Sequence, residues 1–317
     1  MEDPEDFVPK LTNDGSSTFF SSEFGELFHS HHGARQEAHL KFVEPLQLAQ
    51  RALQPRLRLL DICYGLGYNT AAALATIWAI NPNCCVEVVC LELNPSVPQA
   101  AVSEAHGESL AHYLLGCCHS DCTGRHFATA LPHTSILQLL TLLATEHQVQ
   151  TNRLHATLLI GDARATIQQV QLSGFRADAI FLDPFSPAKC PQLWTVEFLE
   201  QVAKCLSLDG KLATYSCAAA VRIALMAGGL KIGPTPPVGR RSPGTVASWV
   251  DTDKPVLSRP EQEHLLTRAA IPYRDPQLND AVAVILRRRI EEQQASSLEP
   301  TSRWRKRTYS KPVSKIQ

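Results

Sequence analysis

The sequence lacks any apolar run long enough to cross a membrane. The longest candidate, Thr70 to Ile80, falls short of the roughly 18 residues a span requires. It has no basic and apolar leader, since the chain opens Met1-Glu2-Asp3-Pro4-Glu5-Asp6, so secretion is not expected. There is no CxxC pair among the ten cysteines. Neither His29, His31 and His32 nor the group Cys117, Cys118, Cys122 and His126 has a standard zinc spacing, and no metal is expected. Cys63 and Cys90 lie in apolar runs, where a free thiol behaves as a small hydrophobe; a reduced, cytoplasmic protein is the expectation. Large net charge is missing too. With 30 Lys/Arg against 31 Asp/Glu, no global field argues for a polyanionic or polycationic partner.

The balance conceals an asymmetry. From Arg287 to Gln317 there are nine Lys/Arg and three Asp/Glu, which leaves an acidic body carrying a basic end. The 317 residues, 44% hydrophobic, suffice for one large domain with additions. Residues 1–55 are polar and aromatic and read as a cap. A helix is expected from about Arg35 to Ala52, where Ala38, Phe42, Leu46 and Ala49 recur at helical spacing.

Short apolar runs then alternate with helical patterns: Leu57–Cys63, Val86–Leu91, Thr157–Ile160, Ala179–Leu182 and Lys211–Ser216. This is the pattern of an α/β fold, a mostly parallel twisted sheet with helices on both faces, over residues 56–251. The stretch from about 103 to 153 reads as an insertion, with a helix over Ile136 to Leu143 that packs on the body. A loop from Pro234 to Gly244 joins the last sheet elements. Ser258-Arg259-Pro260-Glu261 reads as a helix start, within a helical extension over 252–294 that ends in a helix from about Gln277 to Gln293. Residues 295–317, polar and basic, are expected to be disordered.

Four places carry chemistry. In Asp61-Ile62-Cys63-Tyr64-Gly65-Leu66-Gly67-Tyr68-Asn69 a strand runs through a tight turn into a helix. Gly65 and Gly67 let the backbone turn and a ligand approach. Position 70 is Thr, so the third glycine of the dinucleotide fingerprint is missing, which counts against NAD. Glu92 ends the second strand, where a carboxylate accepts hydrogen bonds from ribose hydroxyls. Gly161-Asp162-Ala163 follows the third strand; Asp162 either faces a ligand or caps the next helix. Finally, Asp183 ends an apolar strand at the carboxyl edge of the sheet and is followed by Pro184-Phe185-Ser186-Pro187-Ala188-Lys189. The prolines stiffen this loop and remove donors, leaving an acceptor-only corner suited to an amine.

Taken together, the chain resembles the methyltransferase domain of the MnmC-type enzymes of tRNA wobble-uridine modification. The likeness runs through Leu11-Thr12-x-Asp14-Gly15-Ser16, Ser21-x-Glu23-Phe24-Gly25-Glu26 and His29-Ser30-x-His32-Gly33-Ala34. It continues in Gly65-x-Gly67-x-Asn69, Gly161-Asp162-Ala163, Phe181-Leu182-Asp183-x-Phe185-Ser186-Pro187-Ala188-Lys189, Trp194-Thr195, Ala213-Thr214-Tyr215-Ser216 and Gly239-Arg240. The resemblance implies a Rossmann-like class I methyltransferase that uses S-adenosylmethionine (SAM). It implies as acceptor the amine of 5-aminomethyl(-2-thio)uridine in the anticodon of tRNA.

Carried over by position, Asp61, Tyr64, Gly65, Gly67, Asn69, Glu92, Asp162 and Ala163 would hold SAM, and Asp183 would be catalytic. Pro184 and Phe185 would line the acceptor site, and Lys189, Arg240 and Arg241 would meet anticodon phosphates. The family usually has Gly where Pro184 stands. Its bifunctional members carry an FAD-dependent oxidase domain, and no second glycine fingerprint is seen here. Two other readings stay open: an aminopropyltransferase-like or small-amine transferase on the same fold, and a nonenzymatic SAM- or RNA-binding scaffold.

Overall fold

The structure is a computed structural model that describes residues 7–103, 133–238, 242–251 and 255–309. Two small hairpins open it: β1 (Lys10–Leu11) with β2 (Ser17–Thr18), and β3 (Phe20–Ser21) with β4 (Glu26–Leu27). The helix expected over 35–52 is broken into pieces. A single turn, α1 (Ala34–Glu37), passes into a π-helical segment, Ala38–Val43, and α2 (Leu48–Arg51) follows. Pro45 and a left-handed Gln47 (φ 56°) stand between them. The apolar spacing is helical, but one extra residue per turn in the π segment shifts the buried face midway.

The body is an eight-stranded sheet. Its members are β5 (Arg56–Ile62), β6 (Cys85–Glu92), β7 (Gln148–Gln150), β8 (Leu154–Ile160), β9 (Ala177–Leu182), β10 (Leu206–Thr214), β11 (Lys231–Pro234) and β12 (Thr245–Ser248). Their order is β11-β12-β10-β9-β5-β6-β8-β7. Strands β8, β6, β5, β9 and β10 run parallel; β7 and β12 pair antiparallel at either side. The five apolar runs read from the sequence are the five parallel strands.

The chain moves outward from β5 to β6 and β8 on one side, and to β9 and β10 on the other. The order therefore reverses between β5 and β9, where open α/β sheets bind ligands at the carboxyl ends of their strands. Along β5, Leu57 and Leu59 join one buried cluster while Leu60 and Ile62 join another. The two-residue alternation of a strand thus feeds a core on each face.

Helices α3 (Tyr68–Ile80), α4 (Ser96–Val102) and α5 (His133–Glu146) belong to the first face. Helices α6 (Ala163–Leu172), α7 (Val196–Lys204) and α8 (Ala219–Ala227) belong to the second. Ile136, Leu140 and Leu143 of α5 are buried in the first core, so this part of the insertion is a packing helix. Cys117, Cys118, Cys122 and His126 lie outside the described residues.

The C-terminal part departs from expectation. Helix α9 (Arg259–His264) starts at Ser258 with a capping box to Glu261, as the sequence suggests. Helix α10 (Val282–Ala295) begins five residues later than expected, after a turn in which Leu278 is left-handed and Asp275 receives the backbone N–H groups of Asn279 and Asp280. Residues 301–309, expected to be disordered, form helix α11 (Thr301–Tyr309). Its anchor is Trp304, 4% exposed and stacked on His264 at a centroid distance of 4.4 Å. One buried aromatic outweighs a composition that is otherwise polar and charged. Among the described residues no helix is long and apolar enough to cross a membrane.

Candidate active site

The carboxyl edge of β5, β6, β8 and β9 opens into a cavity of about 520 Å³, roofed by the N-terminal cap. That size falls in the range of small-molecule sites. Gly65, Glu92, Asp162, Ala163, Asp183, Pro184 and Phe185 line it, together with Ser30, Glu37 and Lys41 from the cap.

Asp183 leaves β9 at the reversal point. Its backbone N–H donates to the Ile62 carbonyl, and its Oδ2 accepts a 2.9 Å hydrogen bond from Asn69 Nδ2. The side chain meets solvent through the cavity only in part, and burial pushes its carboxyl well above the usual range. Glu37 and Asp61 push the same way; Asn69 and Lys41 oppose them. The loop after it is fixed on three sides. Tyr215 Oη donates to the Pro184 carbonyl at 2.9 Å, Trp194 Nε1 to the Phe185 carbonyl at 2.8 Å, and Ser186 donates its hydroxyl and backbone N–H to Glu26 of β4. Phe24 stacks on Phe185 at 4.4 Å. The corner is rigid because cap and sheet both hold it.

Glu92 is 8% exposed and accepts three backbone N–H bonds, from Gly65 on one oxygen and from Leu93 and Asn94 on the other. Burial raises its carboxyl, and these three donors offset part of the rise. The carboxylate joins the β5 and β6 loops and lines the cavity with acceptor capacity left on it.

A family model described as S-adenosyl-L-methionine-dependent methyltransferase matches residues 128–249. The crystal structure of MnmC2 from Aquifex aeolicus is 30% identical and superposes with a TM-score of 0.73, over 92% of this chain and 87% of that one. The chain belongs to the MnmC2-type family of SAM-dependent methyltransferases. The tRNA 5-methylaminomethyl-2-thiouridine biosynthesis bifunctional protein MnmC of Ralstonia nicotianae is 30% identical over 245 residues, 76% of this chain. The chain spans only 34% of that protein. A protein of Methanocaldococcus jannaschii is 29% identical over 284 residues, which are 87% of this chain and 69% of its own length.

The residues present fit the family's methyl donor. Glu92 offers acceptors for a ribose. A Cβ on Gly67 would meet Tyr64 Oη at 2.5 Å, so the turn beneath the cavity admits only glycine there. SAM supplies, when bound, a methyl group already activated on a sulfonium.

Not every expected residue lies on the wall. Gly65, Glu92, Asp162, Ala163, Pro184 and Phe185 do. Asp61 is fully buried under α3 and accepts from Thr70 Oγ1 at 2.7 Å; its role is to hold the start of that helix. Burial pushes its carboxyl up to about 7. Tyr64 turns inward against Gly67. Asn69 acts on Asp183. Asp162 both edges the cavity and caps α6, accepting from the Arg164 backbone at 2.8 Å and pairing with its guanidinium at 2.7 Å. The cap reading of that residue holds, and the same residue borders the cavity. Lys189 is exposed, with its Nζ beside Gly25 of the β3–β4 turn. Arg240 and Arg241 lie outside the described residues.

Several wall residues are not evident from sequence reasoning. Cys63 lines the cavity with φ 65°, a left-handed conformation in a residue other than glycine. Burial pushes its thiol well up and that of Cys190, also on the wall, up to about 12. Neither is a thiolate near neutral pH. His29 is a neutral imidazole, since burial lowers its pKa to about 4. Glu37 and Lys41 form a 2.7 Å ion pair, and nothing in their helical spacing marks them from surface charges. Among the described residues no group of three or more His, Cys, Asp or Glu side chains is placed to hold a metal.

Proposed function

We propose that the chain methylates the primary amine of 5-aminomethyl(-2-thio)uridine at the wobble position of tRNA. The observation that carries this reading is Asp183, held by Asn69 at the reversal point of the sheet inside the cavity that Glu92 shares. An alkylammonium has no lone pair and cannot attack. Asp183 accepts N–H bonds from the amine, orients its lone pair along the S–CH3 axis and takes a proton. With SAM bound there, the new N–C bond would replace the S–C bond, whose electron pair would stay on the leaving sulfur. Burial makes this carboxylate a stronger base than an exposed Asp, which suits the proton it must accept. Alignment of amine and methyl at near contact supplies much of the remaining rate.

The acceptor is supported by the 30% identity to MnmC2 and MnmC proteins. The anticodon is the partner this implies, and the cytoplasm the setting. The test is transfer of labelled methyl from SAM to total tRNA from a strain lacking this activity, followed by nucleoside analysis. Appearance of 5-methylaminomethyluridine is expected. SAM binding with no label in tRNA would sink the acceptor and turn attention to small amines.

A further inference from the structure

Lys41 is an unusual lysine. It is 7% exposed, sits in the π-helical segment Ala38–Val43 and lines the cavity. The widened turn, closed by the Glu44 N–H on the His39 carbonyl, reorients this stretch over α3. Interruptions of this kind gather at functional sites.

Glu37 clamps Lys41. It accepts from Lys41 Nζ at 2.7 Å, from Ser30 Oγ at 2.5 Å and from the Ser30 backbone N–H at 3.3 Å. Burial alone pushes the Glu37 carboxyl up; Lys41, His29 and the Ser30 bond overturn that and hold it below its ordinary value. Glu37 is therefore ionised, with three hydrogen bonds on its two oxygens. An ammonium has three N–H donors. One goes to Glu37, and no other hydrogen bond of Lys41 is found among the described residues. A buried cation in a cavity with donors to spare calls for an anionic oxygen. The other titratable groups that act on this site are Asp183, whose carboxyl burial pushes up, and His29, which is neutral.

The position of Lys41 names the oxygen. Glu92 marks the ribose end of the donor, and Asp183 marks the transferred methyl. Lys41 stands close enough to Asp183 to act on its charge. The short amino-acid tail of the donor begins at the sulfonium and extends from there. We infer that Lys41, clamped by Glu37 and Ser30, receives the α-carboxylate of the methyl donor and selects carboxylated SAM over decarboxylated SAM. The tail of the decarboxylated donor ends in an ammonium alone, which Lys41 repels. This rests on SAM as the donor and is independent of the acceptor. It also separates the chain from aminopropyltransferases, whose donor is the decarboxylated one.

Titration calorimetry with SAM, S-adenosylhomocysteine and decarboxylated SAM tests it on the full chain. The wild type is expected to prefer the two carboxylated ligands. Lys41→Gln, which keeps an N–H for Glu37, should weaken them about 10- to 100-fold and change decarboxylated SAM little. Lys41→Arg should retain the preference, and the KM for tRNA should not rise in Lys41→Gln. Equal wild-type affinity for carboxylated and decarboxylated ligands overturns the inference without any variant. So does an equal loss for both, or unchanged SAM affinity with a raised KM for tRNA, which would assign Lys41 to the acceptor. Failure of the wild type to bind SAM would instead sink the donor assignment.

Discussion

At Asp183 function and stability oppose each other. Its carboxyl is raised by burial, so its ionised form is costly in the folded state. That cost is absent below the ordinary carboxylate pKa and fully present above the raised one, so stability falls as pH rises through that window. Asp183→Asn removes the cost and keeps an acceptor for Asn69. It should retain SAM affinity within a few-fold, lose at least ~100-fold in turnover and melt at the same or a higher temperature near neutral pH. Near-normal turnover would remove Asp183 from the chemistry. Cys63 offers a second case. A left-handed residue other than glycine costs about 1–2 kcal/mol. Cys63→Gly should therefore stabilise the fold by up to about 1 kcal/mol, read as a rise in melting temperature; a loss would mean that thiol packing outweighs the strain. Asp183 was legible in the sequence because an apolar strand ending in Asp-Pro places its own carboxylate at the sheet edge. Cys63 was not, because backbone conformation leaves no mark on a residue that is also a common core hydrophobe.

Among elements, the parallel strands were legible and the cap was not. The strands follow from continuous apolar runs buried on both faces. The cap is built from two-residue strands and a broken helix, whose order comes from contacts distant in sequence. The bond of Glu26 to Ser186 spans 160 residues. It joins the β3–β4 hairpin to the Asp183 loop at 2.6 Å, reinforced by the Phe24–Phe185 stack. Glu26→Ala should leave the sheet intact, with a melting temperature within a few degrees. Turnover should fall about tenfold as the corner loosens, since small misplacements of a reacting group are costly. Wild-type kinetics would show that the stack and the Tyr215 and Trp194 bonds hold the loop without Glu26. The cap also carries a pH dependence. The folded pKa of His29 is about 4, against 6.5 unfolded, so the unfolded chain binds the extra proton first. Stability should fall as pH drops from about 6.5 to 4, by roughly 2 kcal/mol once residual solvent is allowed for. His29→Gln should flatten that limb in melts taken across the window; an unchanged slope would place the titration elsewhere.

On the scale of the molecule, the acidic body and basic end seen in the sequence take a definite form. Helix α11 is ordered by Trp304, and its Arg303, Arg305 and Lys306 are exposed. Arg307 is tied back to Glu263 and Glu299. A chain of contacts runs from this helix to the cavity wall. Glu263 lies on α9, Glu261 of α9 pairs with Arg222 at 2.9 Å, Arg222 donates to Thr245, and Thr245 donates to the carbonyl of Ser216, next to Tyr215. The exposed basic side chains of α11 and the cavity wall thus belong to elements joined by a continuous run of contacts, and the prediction is that these side chains meet the phosphates of a polyanion. Each phosphate neutralised releases counterions and steepens the fall of affinity with salt. Replacing Arg303, Arg305 and Lys306 by Glu should weaken tRNA binding and lower the salt slope by roughly two to three, with SAM affinity unchanged. Truncation at 295 would be a poorer test, because it also strips Trp304 from His264 and exposes the surface that α11 covers. An unaltered slope in the triple variant, with wild-type methylation of tRNA intact, would show that the phosphates are held elsewhere and that α11 is a solvated, structural end.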